Sequence, residues 1–290
     1  TYDLDLDCIC ASPLLARIMS QTYGRWARHF YLAYDHELYR ILDQAKHEAR
    51  FVSELDQPCK IAVYARDHTA RRCVYLALMG LQLLGKTRQD FEVHFFGQDE
   101  LPFTETNFPA VNHGILNANQ LAELYNDCHM GICFSATNYS LVPQEMMACG
   151  LPLLEIDGDS TRSIFPDDAI TLGGPDPADI ATKLEHLLDH PNERQKQSKA
   201  ALDCVRGFSW RGAAEATESA IKERMAERST LAAPATIKTR EIELDVVIPT
   251  YNGMGELEPV VESLRQQRNF DALQIHCIDR SSSDGTTEGL

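Results

Sequence analysis

The stretch from Cys133 to Glu155 most constrains what this chain can fold into. It reads Cys-Phe-Ser-Ala-Thr-Asn-Tyr-Ser-Leu-Val-Pro-Gln-Glu-Met-Met-Ala-Cys-Gly-Leu-Pro-Leu-Leu-Glu. A buried strand, a polar loop, a short helix opening at Pro143, a stop at Gly150 and a second apolar strand are expected in that order. A strand–helix–strand unit of this kind aims free backbone N–H groups and the positive end of a helix at whatever sits over the loop, which suits a phosphate. Glu145, expected in the first helical turn, would reach past a phosphate to a ribose diol. The plainer alternative is a βαβ unit in which Glu145 is only an N-terminal helix acid and Gly150 a C-cap.

The surrounding chain repeats the same alternation, which marks an open parallel sheet of the α/β class. Strands are expected over 60–64, 91–97, 111–116, 130–134, 151–156 and 169–172. Helices are expected over 72–84, 119–128 (capped by Asn117 or Asn119), 177–188, 191–206 and 210–228. Before this block, 7–12 reads as a strand and 29–33 as another. Between them 13–23 reads as a helix with Ser12 as cap and Pro13 at its first position.

Composition narrows the function classes. With 27 basic against 43 acidic residues the formal charge is −16, which argues against a general nucleic-acid or anionic-membrane surface. No run of about 18 apolar residues exists, so no membrane-spanning helix is expected. The opening Thr1-Tyr2-Asp3-Leu4-Asp5-Leu6-Asp7 lacks the basic and apolar regions of a signal peptide, and the missing initiator Met points to upstream sequence. The nine cysteines lie mostly in apolar runs without zinc-ligand spacing, so they read as small buried hydrophobes of a reducing compartment.

The 133–155 stretch resembles the donor-sugar motif of retaining family-4 glycosyltransferases, enzymes of the two-domain GT-B fold. That pattern has two glutamates separated by seven residues, then a small-residue helix and Gly-x-Pro. Glu145 matches the second glutamate and Met146–Pro152 the remainder, while Thr137 stands where the first would be. The resemblance implies a Rossmann-like parallel sheet flanked by helices, the C-terminal, nucleotide-sugar-binding half of a GT-B fold, over residues 57–228. Residues 1–56 then correspond to the end of the acceptor-side domain and the crossover, with Tyr34–Tyr39 in the crossing segment. Phe208-Ser209-Trp210 resembles the phrase opening the last helix, with Trp210 expected in the core.

Residues 229–243 read as a linker. Beyond it, Leu244–Gly253 and Leu273–Thr286 resemble the first two strand ends of a family-2 glycosyltransferase with the GT-A fold, Arg280 replacing a common aspartate. Residues 244–290 are therefore expected to be the truncated start of a second domain, loosely packed without its remainder. Both ends of the chain are expected to be incomplete α/β pieces.

The same resemblance implies roles for individual residues. Family members place an Arg after the first strand and a Lys or Arg five residues later, both on the donor diphosphate; Arg66 and Arg71 have that spacing. The alternative is a solvated turn in which Arg71 and Arg72 merely open a helix. Arg66, Arg71 and Glu145 are thus the expected catalytic group. Ile115 would offer backbone groups to the base, and Tyr139, Ser140 and Leu141 would offer amides to the diphosphate. Asn138 would touch the sugar, and Glu145 would hold the ribose. No metal and no cofactor is expected in the donor half, where the nucleotide diphosphate sugar is substrate. A divalent metal is expected only in the missing remainder of the family-2 domain.

The leading expectation is a retaining hexosyl-type glycosyltransferase moving a sugar from a nucleotide donor to a growing bacterial polysaccharide, the isolated chain being inactive. Thr137 and the Pro143–Met146 opening are most similar to rhamnosyltransferases using a dTDP donor. Its partners would be the nucleotide sugar and a glycan or lipid-linked glycan, in the cytoplasm, peripheral to the inner membrane through that acceptor. The competing reading is a degenerate nucleotide-sugar-binding or scaffolding module, favoured by Thr137. A nucleotide-sugar epimerase is disfavoured by the second glycosyltransferase segment.

Overall fold

The computed structural model describes residues 6–52, 58–103, 105–231, 243–250, 254–266, 272–279, 282–284 and 286. The chain divides into two compact units, Thr1–Met225 and Ala226–Leu290. The first holds β1 (Cys8–Cys10), α1 (Pro13–Gln21), β2 (Ala27–His29), α2 (Gln44–Ala49), β3 (Cys59–Tyr64), α3 (Val74–Leu84), β4 (Phe91–Phe96), β5 (Ala110–Asn112), α4 (Ala118–Asp127), β6 (Met130–Ile132), α5 (Leu141–Ala148), β7 (Leu153–Ile156), α6 (Asp159–Arg162), β8 (Thr171–Gly173), α7 (Pro177–Asp189), α8 (Pro191–Val205) and most of α9 (Trp210–Leu231). The second holds β9 (Glu243–Thr250), α10 (Met254–Arg265) and β10 (Ala272–Asp279), its two strands paired in parallel.

Strands β3 to β8 form one sheet in the order β5-β4-β3-β6-β7-β8, every pair parallel. Ile61, Ala62 and Val63 of β3 are all buried, as a strand covered on both faces must be. One face packs Leu78, Leu81, Ile180 and Leu184 of α3 and α7. The other packs Tyr125, Met146, Met147, Ala201 and Val205 of α4, α5 and α8. The expected Rossmann-like sheet with helices on both sides is therefore present. The order in which strands are added to the sheet reverses between β3 and β6, and at such a switch point the loops after the strands splay apart and leave a crevice.

Capping residues fix several helices as the sequence implies. Ser12 accepts from Leu15 N at 3.2 Å with Pro13 at the first position of α1. Asn117 and Gln120 form a reciprocal capping box on α4, both bonds 3.0 Å. At Gly150 the backbone turns with φ +70°, the left-handed stop after α5, and a Cβ there would run into the His47 ring.

Several boundaries depart from expectation. Helix α5 opens at Leu141, not Pro143, because the Ser140 hydroxyl accepts from Val142 N at 3.3 Å. Pro143 then lies in the first turn, where its missing N–H costs nothing. Glu145 consequently sits in the second turn rather than the first. Residues 70–72 form a separate 3₁₀ turn, closed by Cys73 at φ +48°, so Arg71 and Arg72 do not open α3. Strand β2 is displaced towards the N-terminus of the expected 29–33 because Leu32 N–H leaves for the Tyr139 hydroxyl at 2.7 Å. Strand β5 ends at Asn112; residues 113–116 form a loop, Gly114 taking φ +67° while Asn112 Oδ1 accepts its N–H at 3.1 Å. Trp210 is no core residue but 53% exposed, on the rim of an apolar groove with Phe30 and Ala213. Helix α9 runs through Leu231, so the expected linker is helical at its start. Residues 232–242 and Arg280 lie outside the described residues.

Candidate functional site

The loops after β3 and β6 meet at the switch point, and they carry the expected diphosphate residues. Between them and the end of β4 lies a cavity of about 330 Å³ lined by Tyr64, Arg66, Gly97, Ile115, Tyr125 and Val142 among others. Arg66 is exposed in its wall, with Nε donating to His68 Nε2 at 2.8 Å. Ile115 stands at the same cavity, 70% exposed, its N–H already taken by Asp99 Oδ1 at 3.0 Å. Its carbonyl is then the backbone group it has to offer a base edge.

Arg71 faces the polar loop between β6 and α5. Its Nη1 donates to Ser135 Oγ at 3.1 Å, Asn138 O at 3.3 Å and Asn138 Oδ1 at 2.9 Å, while its carbonyl accepts from Ala136 N at 2.8 Å. Thr137, in the place of the family's first glutamate, is exposed and donates its hydroxyl to the same Asn138 Oδ1 at 3.1 Å. All acceptors on Arg71 are neutral. Partial burial lowers its pKa, and the neighbouring charges of Arg72 and Arg66 lower it further. Three cations crowded at one strand end in a chain of charge −16 form a site that an anion would relieve.

Ser140 is buried; besides capping α5 it accepts from Arg72 Nη2 at 3.1 Å, and Arg72 lies over the Tyr64 ring at 5.0 Å. Leu141 is the first residue of α5 and is half-buried. Tyr139 is brought to the loop but turned away from the cavity: its side chain is buried, its hydroxyl accepts from Leu32 N, and burial pushes its pKa up to about 12. Only its backbone faces the role expected of it.

Glu145 follows Val142 by one turn of α5 and does not itself line the cavity. No side-chain hydrogen bond reaches its carboxyl among the described residues, and burial alone raises its pKa to about 7. Burial and then the Glu145 charge push up the hydroxyl pKa values of Tyr39 and Tyr125, which places both phenols around it. A half-buried acceptor beside a nucleotide-sized cavity, without a protein donor, is suited to vicinal hydroxyls.

Two residues were given no functional role by the sequence reading. Arg72 is buried, with Nε and Nη1 lacking a hydrogen-bond partner among the described residues. Glu155, 2% exposed at the end of β7, accepts from Ser135 N at 2.7 Å and from Ile156 N at 2.8 Å. The signal for Glu155 was present in the sequence: an acid inside the apolar run Leu153–Ile156 must find donors.

The glycosyl transferase-like family model matches residues 71–219, just over half of the chain. The chain belongs to this family. A second model, glycosyl transferase family 2, matches residues 245–290. The O-antigen biosynthesis protein RfbC of Myxococcus xanthus is 30% identical over 101 residues, 34% of the glycosyltransferase-like chain and 8% of that protein. A D-inositol 3-phosphate glycosyltransferase of Thermomonospora curvata is 30% identical over 93 residues, 31% of this chain and 22% of that one. The matched stretches thus span less than a quarter of either curated relative. Among solved structures, sucrose-phosphate synthase from Thermosynechococcus elongatus superposes with a TM-score of 0.55 at 18% identity, covering 77% of this chain and 58% of that one. Anabaena HepE in complex with UDP and glucose superposes with a TM-score of 0.56 at 11% identity, covering 75% and 62%. At such identities these likenesses speak for the fold, and that fold is GT-B.

Proposed function

We propose that residues 57–228 bind the nucleotide diphosphate donor of a glycosyltransferase that transfers a sugar, with retention, to a growing bacterial polysaccharide. The carrying observation is that Arg66 and Val142, at the start of α5, line one crevice at the switch point of a parallel sheet, beside a loop after β6 that Arg71 ties to the loop after β3. Arg66 and Arg71 neutralise the diphosphate and stabilise it as leaving group, with help from the Tyr139–Leu141 backbone; no carboxylate among the hydrogen-bond partners of Arg71 offsets its charge. Glu145 accepts the ribose hydroxyls, and Ile115 reads the base through its carbonyl. The glycan or lipid-linked acceptor is held elsewhere, so residues 1–290 load a donor without transferring its sugar. Similarity to RfbC supports an O-antigen-like polysaccharide, and the resemblance of Thr137 and the Pro143–Met146 opening to rhamnosyltransferases supports a thymidine diphosphate rhamnose donor.

Calorimetric titration with uridine and thymidine diphosphates tests this reading. Binding of at least one at micromolar affinity, abolished by Arg66→Ala combined with Glu145→Gln, is expected. Failure of every nucleoside diphosphate to bind would overturn it. Thr137 favours one second reading, a module that binds a donor without catalysing transfer. Turnover by a chain that also contains the acceptor domain separates the two.

A further inference from the structure

The loop that carries Asn138 and precedes α5 is held from beneath by a group that takes no part in the reading above. Glu155 lies on β7, the neighbour of β6, so its carboxyl reaches sideways under the chain that leaves β6. Oε1 receives the N–H groups of Ser135 and Ile156 at 2.7 and 2.8 Å. Ser135 passes the constraint on: its hydroxyl donates to Asn138 O and accepts from Arg71 Nη1. Asn138 closes the circuit by accepting from Arg71 through both its backbone and side-chain oxygens. Hydrogen bonds thus run without a gap from a buried strand-end carboxyl, through Ser135, to the Arg71 guanidinium.

Position 137 gives this circuit its purpose. A glutamate there would pair with the nearby guanidinium and hold it in place, at the cost of neutralising it. Thr137 donates to Asn138 Oδ1 instead, so no carboxylate of the loop fixes Arg71. We propose that Glu155 is a positioning residue for donor binding: by fixing the Ser135 amide it sets the Ser135–Asn138 turn, and that turn aims Arg71 at the diphosphate. The inference rests on the donor-site reading above. It extends that reading from the residues that touch the donor to the one that shapes their support. Burial raises the Glu155 pKa to about 8, and the Ile156 and Ser135 N–H groups and then Arg72 oppose that rise. The support is therefore largely uncharged at neutral pH and leaves the positive potential of the arginines intact.

Two measurements on Glu155→Ala, Glu155→Gln and Glu155→Asp test this. Amide exchange needs no ligand: Ser135 N–H should exchange at least tenfold faster in Glu155→Ala and Glu155→Asp, and recover in Glu155→Gln, which keeps a carbonyl oxygen for it. Calorimetry with uridine and thymidine diphosphates and their parent nucleosides gives the second measurement. Loss of Arg71 aim should weaken the diphosphates about tenfold, as expected for one charge-assisted contact, leave the nucleosides within about twofold, and be rescued by Gln. Should Glu155→Ala fail to fold, the Asp variant, which shortens the reach by one methylene, carries the comparison. Unchanged Ser135 exchange, equal losses for nucleoside and diphosphate, or no rescue by Gln would each overturn the proposal. If the unmodified chain binds no nucleotide, the donor-site reading falls and this inference with it. If it binds while Glu155→Ala and Glu155→Asp bind equally well, only the positioning role falls.

Discussion

Nucleotide affinity should rise with pH through neutrality, and Glu145 should be the cause. Burial holds its carboxyl at a pKa of about 7 in the free protein, where it has no side-chain hydrogen bond among the described residues. Ribose hydroxyls donate best to an ionised acceptor, so binding draws on the deprotonated form. With a single group at that pKa, roughly one tenth of the molecules are competent at pH 6 and roughly nine tenths at pH 8, a gain of about tenfold in apparent affinity. The diphosphate terminus of the ligand ionises near pH 6 and adds a slope of its own. Glu145→Gln keeps an acceptor oxygen but cannot titrate, so the ratio of wild-type to variant affinity isolates the carboxyl. Titration calorimetry with thymidine diphosphate at four pH values from 6 to 8 should show that ratio climbing tenfold. At pH 8 the variant should bind some 10- to 100-fold more weakly, corresponding to about 1.5–3 kcal/mol for a charged hydrogen bond. Parallel pH profiles for the two proteins would refute the reasoning, and equal affinities at pH 8 would put the ribose elsewhere.

Arg66→Ala should weaken nucleoside diphosphates by about 10- to 100-fold and leave thermal stability unchanged, because the side chain is exposed. Arg71→Ala should cost a similar factor and also lower Tm by a few degrees, since three acceptors of the 135–138 turn each lose a charged donor. The Glu155 carboxyl, with a folded pKa of about 8, holds its proton after the unfolded chain has released it. Wild-type stability is therefore lost progressively as pH rises from about 4.5 to 8 and is level above that. Glu155→Gln lacks that loss, so its Tm should gain on wild type across this window in a scanning calorimeter. Gly150→Ala should destabilise by about 1–3 kcal/mol in urea titration, because the left-handed backbone disfavours a side chain and the His47 ring occupies the space.

Where apolar runs and caps coincide, the sequence was legible. Ile61–Val63, Phe91–Phe96 and Leu153–Ile156 declare themselves as buried strands, and Asn117 with Gln120 or Ser12 with Pro13 mark helix starts on their own. Of the expected site residues, Arg66 and Ile115 line the crevice, Asn138 binds Arg71 in the loop after β6, and Glu145 lies one turn of α5 beyond Val142. What stayed hidden depends on contacts between distant residues. Strand β2 loses Leu32 to a tyrosine 107 residues away, which no local pattern encodes. The start of α5 was a contest between Ser140 and Pro143, decided by a single hydroxyl. Glu155 reads as one charge in an apolar run until β6 and β7 are laid side by side, and Trp210 reads as core until it proves to stand exposed on the rim of a surface groove.

The bond between Leu32 and Tyr139 makes the donor loop answerable to a remote part of the chain. Its far end is the stretch that follows β2, and the same stretch is stapled further along by His36 to Phe208 O at 2.6 Å. A hydrogen bond of 2.7 Å tolerates little displacement before it weakens, so the two backbones must travel together or let go. Pressure on the region around β2 thus arrives at residue 139 as a change in slack, one residue from the asparagine that grips Arg71. Tyr139→Phe would cut that tether while leaving the ring in place, turning a linked pair of motions into two independent ones.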